Sequence, residues 1–418
     1  MEIPRRMLAE LVKHLEKEEI TLLLGPRQAG KTTLLSSIGR QLQQEGKTCL
    51  FFNLDIDTDA QHFTSQQRFV ERVEALAGGQ RAYVFIDEVQ RIEDAGLFLK
   101  GIFDRRLPHK WIATGSGSLE LKEKIAESLA GRKRNFLLFP ISMEEFLNHR
   151  LGTPDAGRSM ALLATDTAAE ERLLLEYLQF GGYPRVVTSA DHTEKRQVLG
   201  EIFQSYIERD IQLLLRLEKS RELVTLLQLI ANRIGRLIQF QDLANLTNLS
   251  VATVKNYLWY AQKTFVIEEV LPYFTNKEKE LTKSPQYYFV DNGLRNYLLG
   301  NVPVTPVSPE FGFVFQQLVF QLLRQRFADS IAAIRYWRTQ NQAEVDFVVH
   351  DGLNLLPVEV KATLMKQPQI ERSLRSFIET YRPKEAWVVN RSLETTVEIG
   401  TTTVRFLPWF RLIGPSVV

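Results

Sequence analysis

Residues 20–35 read ITLLLGPRQAGKTTLL. The mostly apolar run at 20–24 is typical of a buried strand, and the segment after it has helical apolar spacing. Between them, Gly25 to Thr32 matches the pattern G-x-x-x-x-G-K-[ST] in full. Glycines let a loop turn its backbone N–H groups toward phosphate oxygens, and the helix N-terminus that follows adds a positive dipole. The stretch therefore predicts a phosphate-binding P-loop.

The side chains of this loop predict ATP and Mg²⁺ as its ligands. Lys31 is expected to reach the β- and γ-phosphates, and the Thr32 hydroxyl is expected to bind Mg²⁺. The predicted nucleotide-binding residues are Gly25, Pro26, Arg27, Gln28, Ala29, Gly30, Lys31, Thr32 and Thr33.

A second strand, AYVFIDEV at 82–89, ends in two acidic residues. Asp87 is predicted to hold the Mg²⁺ water shell, and Glu88 is predicted to polarise the attacking water. A third strand, KWIATGS at 110–116, ends in Thr114 and Ser116. Either residue could contact the γ-phosphate and the water; we prefer Ser116. Alternating strands and helices predict an α/β domain with a parallel sheet and its ligands at the carboxyl ends of the strands.

A basic cluster, Arg132, Lys133 and Arg134, precedes another short strand. If the chain forms a homo-oligomer, as we expect, Arg132 or Arg134 could act across a subunit interface on the γ-phosphate of a neighbour. A solvated surface turn explains the same cluster equally well.

Taken in order, several motifs resemble one family. They are GPRQAGKTTLL, FIDEVQRI, TGSGSLEL, LAGR followed by FPISMEEF, then GGYPRVV and ERDI. Together they resemble a widespread group of prokaryotic ATP-binding proteins that join an AAA+-like ATPase module to a C-terminal domain. That domain is itself similar to restriction-endonuclease-like folds. The resemblance spans nearly the whole chain and implies ATP binding, but it leaves the cellular task open.

Bulk properties are those of a multidomain cytoplasmic protein. The chain has 418 residues, a net charge of +2 and a single cysteine, Cys49, so an intrachain disulfide and a cysteine-based zinc site are excluded. No apolar stretch is long enough to span a membrane, and the N-terminus lacks a signal-peptide core. We predict a P-loop ATPase domain at 1–150, a helical lid at 151–230, a winged-helix domain at 231–300 and a restriction-endonuclease-like domain at 301–418.

The segment 238–274 has the spacing of a helix-turn-helix. Ala244 is small enough for close helix crossing, Asn248 tolerates a left-handed turn, and Ser250 is a suitable N-cap for a second helix. That helix would present Thr253, Lys255 and Asn256 outward. Strands at 265–274 and 286–290 would flank a charged wing. The fold predicts either DNA contact in the major groove or a packing module between subunits.

The segment 344–362, EVDFVVHDGLNLLPVEVKA, reads as a β-hairpin. A tight turn at Asp351–Gly352 would pair Asp346 with Pro357 and place Glu359 diagonally beside it. Because side chains alternate along strands, Asp346, Glu359 and Lys361 would then share one face. This arrangement resembles the PD-(D/E)XK nuclease core, in which two carboxylates hold Mg²⁺ and a lysine acts on the water or the phosphate.

One feature departs from that pattern. Active members often take another acid from the preceding helix, where this chain has Gln316, and no acid occurs at 311–327. We therefore keep two alternatives: a face that cleaves DNA, and a face that binds DNA or protein without cutting. The whole chain is predicted to be an ATPase that acts on DNA. The alternatives are a nucleotide-dependent protein-interaction switch and an ATP-gated nuclease.

Overall fold

The computed structural model describes residues 3–116, 129–206, 220–275, 280, 283–300, 303–328 and 330–414. The ERDI motif, part of TGSGSLEL, and Lys277 and Lys279 of the predicted wing lie outside these ranges. Among the described residues, no helix has both the length and the apolar character needed to cross a membrane.

The N-terminal part is an α/β layer around a five-stranded sheet. Its strands follow the order β2-β3-β4-β1-β5, and every neighbouring pair is parallel. Helices cover both faces, so β1 and β3 are buried along their whole length. The strands are β1 Ile20–Gly25, β2 Thr48–Asn53, β3 Ala82–Asp87, β4 Lys110–Ser116 and β5 Lys133–Leu137. The helices are α1 Met7–His14, α2 Lys31–Gln44, α3 Asp57–Ala60, α4 Gln66–Ala77 and α5 Ala95–Phe103, with 3₁₀ turns at Gln61–Thr64 and Val89–Arg91.

A helical region follows the sheet. Its first helix begins at a capping box, in which Ser142 and Glu145 each bond the other's backbone N–H. Next come a helix pair and a small antiparallel ribbon. The helices are α6 Met143–Leu151, α7 Ala156–Thr165, α8 Thr167–Phe180, α9 Pro184–Thr188, α10 His192–Ser205, α11 Ser220–Asn232, α12 Phe240–Thr247 and α13 Val251–Lys263; the strands are β6 Ile267–Val270 and β7 Gln286–Phe289.

The turn between α12 and α13 has the geometry that the sequence predicted. Asn248 is left-handed, with φ 57°, and Ser250 caps α13 by accepting a hydrogen bond from the Thr253 backbone N–H at 3.1 Å. Lys255 and Asn256 are exposed, whereas Thr253 is half-buried and bonds to Ser250 through its hydroxyl.

The C-terminal part pairs a buried helix with a six-stranded mixed sheet. The strand order is β12-β13-β11-β10-β9-β8. The helices are α14 Asn292–Leu298, α15 Phe311–Arg326 and α16 Arg372–Tyr381; the strands are β8 Ala333–Arg338, β9 Glu344–His350, β10 Leu355–Val360, β11 Glu385–Asn390, β12 Thr395–Ile399 and β13 Thr402–Pro408, followed by a 3₁₀ turn at Trp409–Leu412.

The register of the β9–β10 hairpin differs from the prediction. His350 pairs with Leu355, and Phe347 pairs with Val358, so four residues connect the strands instead of two. The Asp351 carboxylate organises this connection by accepting hydrogen bonds from the backbone N–H groups of Leu353 and Asn354 at 2.9 and 2.7 Å. The predicted pairing of Asp346 with Pro357 is therefore wrong by two residues. Because side chains repeat with a period of two, the shift leaves them on the same face.

One hydrophobic core joins the helical region to the C-terminal sheet. It contains Tyr177 of α8, Phe289 of β7, Phe315 of α15 and Phe347 of β9. The chain then returns to α7 and α8, where Trp409 is fully buried and Ile413 joins the same cluster. A separate cluster fills the layer on one side of the N-terminal sheet.

Candidate functional site

The loop between β1 and α2 wraps closely around the position that phosphates would take. Gly25 has no room for a side chain, because a Cβ there would lie 2.0 Å from the Leu138 carbonyl oxygen. Gly30 is left-handed with φ 97° and starts α2. The Lys31 ammonium turns back and donates to the carbonyl oxygens of Gly25 and Pro26 at 3.0 and 2.8 Å. The lysine is thus held over the loop, beside the exposed backbone of the helix start.

Asp87 collects the polar groups at the carboxyl edge of the sheet. Its Oδ2 accepts a hydrogen bond from the Thr32 hydroxyl at 2.7 Å. Its Oδ1 accepts one from the Thr114 hydroxyl and another, at 3.2 Å, from the Glu88 backbone N–H. Because β4 lies between β1 and β3, the ends of the three strands meet here. The structure therefore brings Thr32, Asp87 and Glu88 together.

Thr114, the alternative to the preferred Ser116, makes the contacts at the end of β4. Its hydroxyl also accepts a hydrogen bond from the Glu88 backbone N–H at 3.3 Å. Ser116 lies two residues farther along and pairs with Gly25 in the strand register.

Two supporting residues were not identified from the sequence. The Gln90 side-chain amide donates to the Glu88 carboxylate, and Glu88 itself is left-handed with φ 59°. Arg5 donates to the P-loop carbonyl of Ala29 at 2.9 Å and to Glu145 at 3.2 Å. Gln90 stands within the FIDEVQRI motif, but no role for it follows from the sequence, and Arg5 lies outside the quoted motifs. Only the fold shows the contacts that these two side chains make.

The basic cluster lies at the other edge of the sheet. Lys133 pairs with Ile20 of β1, and Ile20 lies five residues before Gly25. This spacing along the strand puts Lys133 about 16 Å from the P-loop of its own chain. Arg132 donates to Asp104 at 2.7 Å, and the Arg134 guanidinium lies 5.7 Å from the ring centre of Phe136. Neither arginine can reach the nucleotide of its own subunit from there.

The C-terminal sheet gathers a second polar cluster beneath α15. Asp346 accepts hydrogen bonds from the Gln316 amide at 2.8 Å and from the Val360 backbone N–H at 2.7 Å. Lys361 donates to Glu359 at 3.0 Å and also to Glu371, which the sequence did not suggest. The structure therefore joins Asp346, Glu359 and Lys361, with Gln316 at the predicted place on the helix.

The electrostatics of this cluster disfavour ionisation. Burial raises the pKa of Asp346 well above its ordinary value, and the neighbouring Glu359 carboxylate adds to the rise. Burial likewise raises the pKa of Glu359, while Lys361 opposes that rise. One oxygen of Glu359, Oε2, is buried with no hydrogen-bond partner among the described residues.

The donor set does not fit a metal site as it stands. Both oxygens of Asp346 already accept hydrogen bonds, one of them from the neutral amide of Gln316. In the part of the chain that the structure describes, no three His, Cys, Asp or Glu side chains are grouped to hold a metal ion. A divalent cation would have to displace Gln316 and Lys361 from these carboxylates.

Three family models match consecutive parts of the chain. A model described as "AAA domain" matches residues 17–147. Two models, each described as "Domain of unknown function", match residues 171–305 (DUF8612) and 311–410 (DUF4143).

Relatives align along almost the whole chain. An uncharacterized protein of Mycobacterium tuberculosis is 30% identical over 380 residues, covering 90% of this chain and 77% of the relative. An uncharacterized protein of Haemophilus influenzae is 24% identical over 418 residues, covering 96% of each chain.

Solved structures give weaker likenesses. The replication initiator DnaA bound to AMPPCP and single-stranded DNA has a TM-score of 0.29 and 16% identity, covering 63% of this chain and 90% of that one. PCH-2 of C. elegans has a TM-score of 0.28 and 18% identity, covering 61% of this chain and 65% of that one. Because both TM-scores are low, these structures add nothing to the AAA domain match.

Proposed function

The chain belongs to the family of the Mycobacterium tuberculosis protein and carries the AAA domain of an AAA+-like ATPase. From that premise we propose that it hydrolyses ATP with Mg²⁺ and couples hydrolysis to work on DNA. The observation that supports hydrolysis best is the convergence of Thr32, Asp87 and Glu88 at the end of the P-loop strand.

The residues present fit a Mg²⁺–nucleotide complex. Lys31 donates to loop carbonyls that phosphate oxygens can replace as acceptors, without moving its backbone. The Thr32 hydroxyl and Asp87 carboxylate are oxygen ligands of the kind that Mg²⁺ prefers. Bound Mg²⁺ would supply positive charge against the β- and γ-phosphate oxygens.

The remaining tasks fall to the chain's own side chains. Lys31 neutralises charge that develops on the γ-phosphate oxygens, and Glu88 orients the attacking water and accepts its proton. Thr114 fixes Asp87 and the Glu88 backbone in one arrangement through its hydroxyl. The Gln90 side-chain amide holds the Glu88 carboxylate through a hydrogen bond.

Replacing Glu88 with Gln tests the hydrolysis proposal. Loss of the general base should lower ATP turnover by about 100-fold or more while ATP binding persists. Glu93→Gln is the matched control, because Glu93 is an exposed acid a few residues along the same loop. An unaltered turnover in Glu88→Gln would remove the catalytic assignment.

The proposed action on DNA rests on the α12–turn–α13 unit, which we interpret as a winged helix. Its second helix presents Lys255 and Asn256 to solvent, in the place where a recognition helix contacts the major groove. We further propose that the C-terminal domain has a restriction-endonuclease-like fold and binds DNA without cutting it. The hydrogen bonds on both oxygens of Asp346, one of them from the neutral amide of Gln316, support the absence of cleavage.

Binding of single-stranded, duplex and branched DNA at two salt concentrations tests this action, since phosphate contacts make affinity salt-dependent. A double variant, Lys255→Ala with Asn256→Ala, should weaken binding, and Lys47→Ala, at an exposed lysine of the ATPase part, should not. If no DNA binds or changes ATP turnover, the protein-interaction switch becomes the better account.

An ATP-gated nuclease is the second candidate, and one observation favours it. Glu359 keeps an unpaired buried oxygen beside Lys361 on the same face as Asp346. Cleavage that requires Mg²⁺ or Mn²⁺ and disappears in Asp346→Ala would establish this candidate. Equal cutting by the variant would indicate a contaminating enzyme.

The homo-oligomer is also part of the proposal. Since Arg132 lies far from its own P-loop, it can serve catalysis only in a neighbour's site. Arg132→Ala should lower turnover, and adding Glu88→Gln subunits, which retain Arg132, should partly restore it. Absence of rescue, together with a monomeric mass in solution, would favour the surface turn.

A further inference from the structure

The loop at 181–184, Gly-Gly-Tyr-Pro, lies between the P-loop and the C-terminal half of the chain. Asp291, two residues after the end of β7, reaches across to it, and the Gly182 backbone N–H donates to Asp291 Oδ2 at 2.7 Å. The carbonyl of Gly182 in turn accepts a hydrogen bond from the Ile141 backbone N–H at 2.6 Å. A residue from the far half of the sequence thus holds this loop.

The contact is too close to tolerate side chains on the glycines around it. A Cβ on Gly181 would lie 2.2 Å from Asp291 Oδ1, and one on Gly182 would lie 1.9 Å from the Ile141 carbonyl oxygen. On the other side, a Cβ on Gly293 would lie 2.0 Å from the Phe180 carbonyl oxygen. The loop and the start of α14 are therefore in close contact, through the Asp291 side chain at Gly181 and through the Phe180 backbone at Gly293.

One end of this assembly reaches the nucleotide site. Pro184 begins α9. Its Cγ lies 3.6 Å from the position that a Cβ would take if Gly30 carried a side chain. Gly30 is the last residue before the helix of the P-loop. Gly182, which Asp291 holds, lies two residues before Pro184, so the held loop leads directly to the P-loop.

The other end reaches the C-terminal sheet through a chain of buried amides. Asn292, beside Asp291, accepts hydrogen bonds from the side chains of Gln317 and Gln321 on α15. Gln317 also accepts from the Phe289 backbone N–H at 3.0 Å. The adjacent residue on the helix is Gln316, which donates to Asp346.

We propose that Asp291 is a positioning residue that couples the nucleotide site to the Asp346 cluster, by fixing the Gly181–Pro184 loop against the P-loop and α14 against α15. The proposal rests on the proposed ATP binding at the P-loop. Nucleotide that seats Gly30 against Pro184 then changes the packing of α15 on β9 and β10. Because coupling between two sites is reciprocal, whatever binds at the Asp346 face changes the affinity for nucleotide by the same factor.

Asp291→Asn separates the coupling from the fold. Asp291 Oδ1 caps α14 by accepting from the Leu294 backbone N–H at 3.0 Å, and asparagine is an equally good cap. The second oxygen becomes an NH₂ group, which cannot accept from the Gly182 N–H. Asp155→Asn is the matched control, because Asp155 caps α7 by accepting from the Arg158 backbone N–H at 3.0 Å and lies outside the connection.

Hydrogen exchange of the full chain, with and without the non-hydrolysable analogue AMPPNP, tests the coupling. In the wild type and in Asp155→Asn, AMPPNP should change amide exchange at 344–360 by about fivefold or more. In Asp291→Asn, AMPPNP should still protect the P-loop, but the change at 344–360 should disappear. Gln317→Met, which removes the next link with little change of volume, should give the same result if the first variant folds poorly.

Three outcomes are distinguishable. An equal change at 344–360 in wild type and Asp291→Asn overturns the coupling. A wild type that binds AMPPNP with no change at 344–360 overturns it too, and leaves the ATPase proposal standing. A wild type that does not bind AMPPNP overturns the ATPase proposal itself, and the coupling with it.

Discussion

Asp87 accepts hydrogen bonds from three parts of the chain: the P-loop helix through Thr32, strand β4 through Thr114, and the backbone of Glu88. A carboxylate that is bonded in this way is fixed in orientation before any ligand arrives. Preorganised groups of this kind need not be rearranged when charge develops during a reaction. Thr114 therefore matters although it carries no charge.

Replacing Thr114 with Val should lower ATP turnover by about 10-fold or more, because it removes one of the three hydrogen bonds to Asp87 and one acceptor of the Glu88 N–H. Steady-state kinetics would show the loss mainly in kcat. Thr402→Val is the control, since Thr402 is equally buried and bonds the Pro383 carbonyl far from this site. Equal losses in both variants would mean that Thr114 acts only on stability.

Gln316 sets the chemistry of the C-terminal cluster. Gln316→Glu would add a third carboxyl group to the cluster of Asp346 and Glu359. The new acid would lie directly against Asp346, so these two buried groups would compete for one proton. We expect a lower Tm in metal-free buffer and a recovery with Mn²⁺, which would neutralise the added charge. The wild type and Gln325→Glu, on the same helix, should not respond to Mn²⁺. A Mn²⁺ response shared by all three would argue against a role for Gln316 in excluding metal.

For individual helices, strands and turns, the sequence predicted the features that depend on the conformational preferences of neighbouring residues. The P-loop and the turn at Asn248 follow from residue types that suit particular backbone conformations. The hairpin register did not follow, because Asp351 organises a four-residue connection through bonds that the Asp-Gly pair alone does not reveal. The shared face survived this error only because strands alternate with a period of two.

Asn248→Val should destabilise the α12–α13 unit by about 1–2 kcal/mol, because a β-branched residue is disfavoured at φ 57°, whereas Asn248→Gly should be tolerated. Asn245→Val, one turn earlier on the exposed face of α12, is the control. Hydrogen exchange of α13 measures the effect. A larger effect at Asn245 would contradict the role given to the turn.

At the scale of the molecule, long-range contacts are what the sequence could not supply. Nothing in the pattern around Asp291 points to Gly182, which lies 109 positions away. The return of Trp409 to the core of α7 and α8 is equally invisible to periodicity. The predicted boundary at residue 301 separates two segments that share this core. We therefore expect the helical region and the C-terminal sheet to unfold together.

Two buried groups should make stability respond to pH in opposite directions. Burial raises the pKa of Asp291 from 3.8 to about 6, although hydrogen bonds from backbone N–H groups to its carboxylate partly oppose this rise. Its contribution to the free energy of unfolding is therefore complete below pH 4. As the pH rises through 6, this contribution falls by about 3 kcal/mol. Burial, with Lys110 nearby, lowers the pKa of His14 from 6.5 to about 4. The contribution of His14 to the free energy of unfolding is complete above pH 6.5 and is lost as the pH falls toward 4.

In the wild type these two contributions oppose each other between pH 5 and 7, so neither is visible alone. Asp291→Asn removes the titrating carboxyl and the hydrogen bond from the Gly182 N–H, while His14 still titrates. The Tm of Asp291→Asn should therefore fall more steeply than that of the wild type when the pH is lowered from 7 to 5. Asp155→Asn, at a helix cap that lies outside the connection, should follow the wild type. Parallel curves for the wild type and Asp291→Asn would mean that Asp291 titrates in its ordinary range, and that its burial costs the fold little.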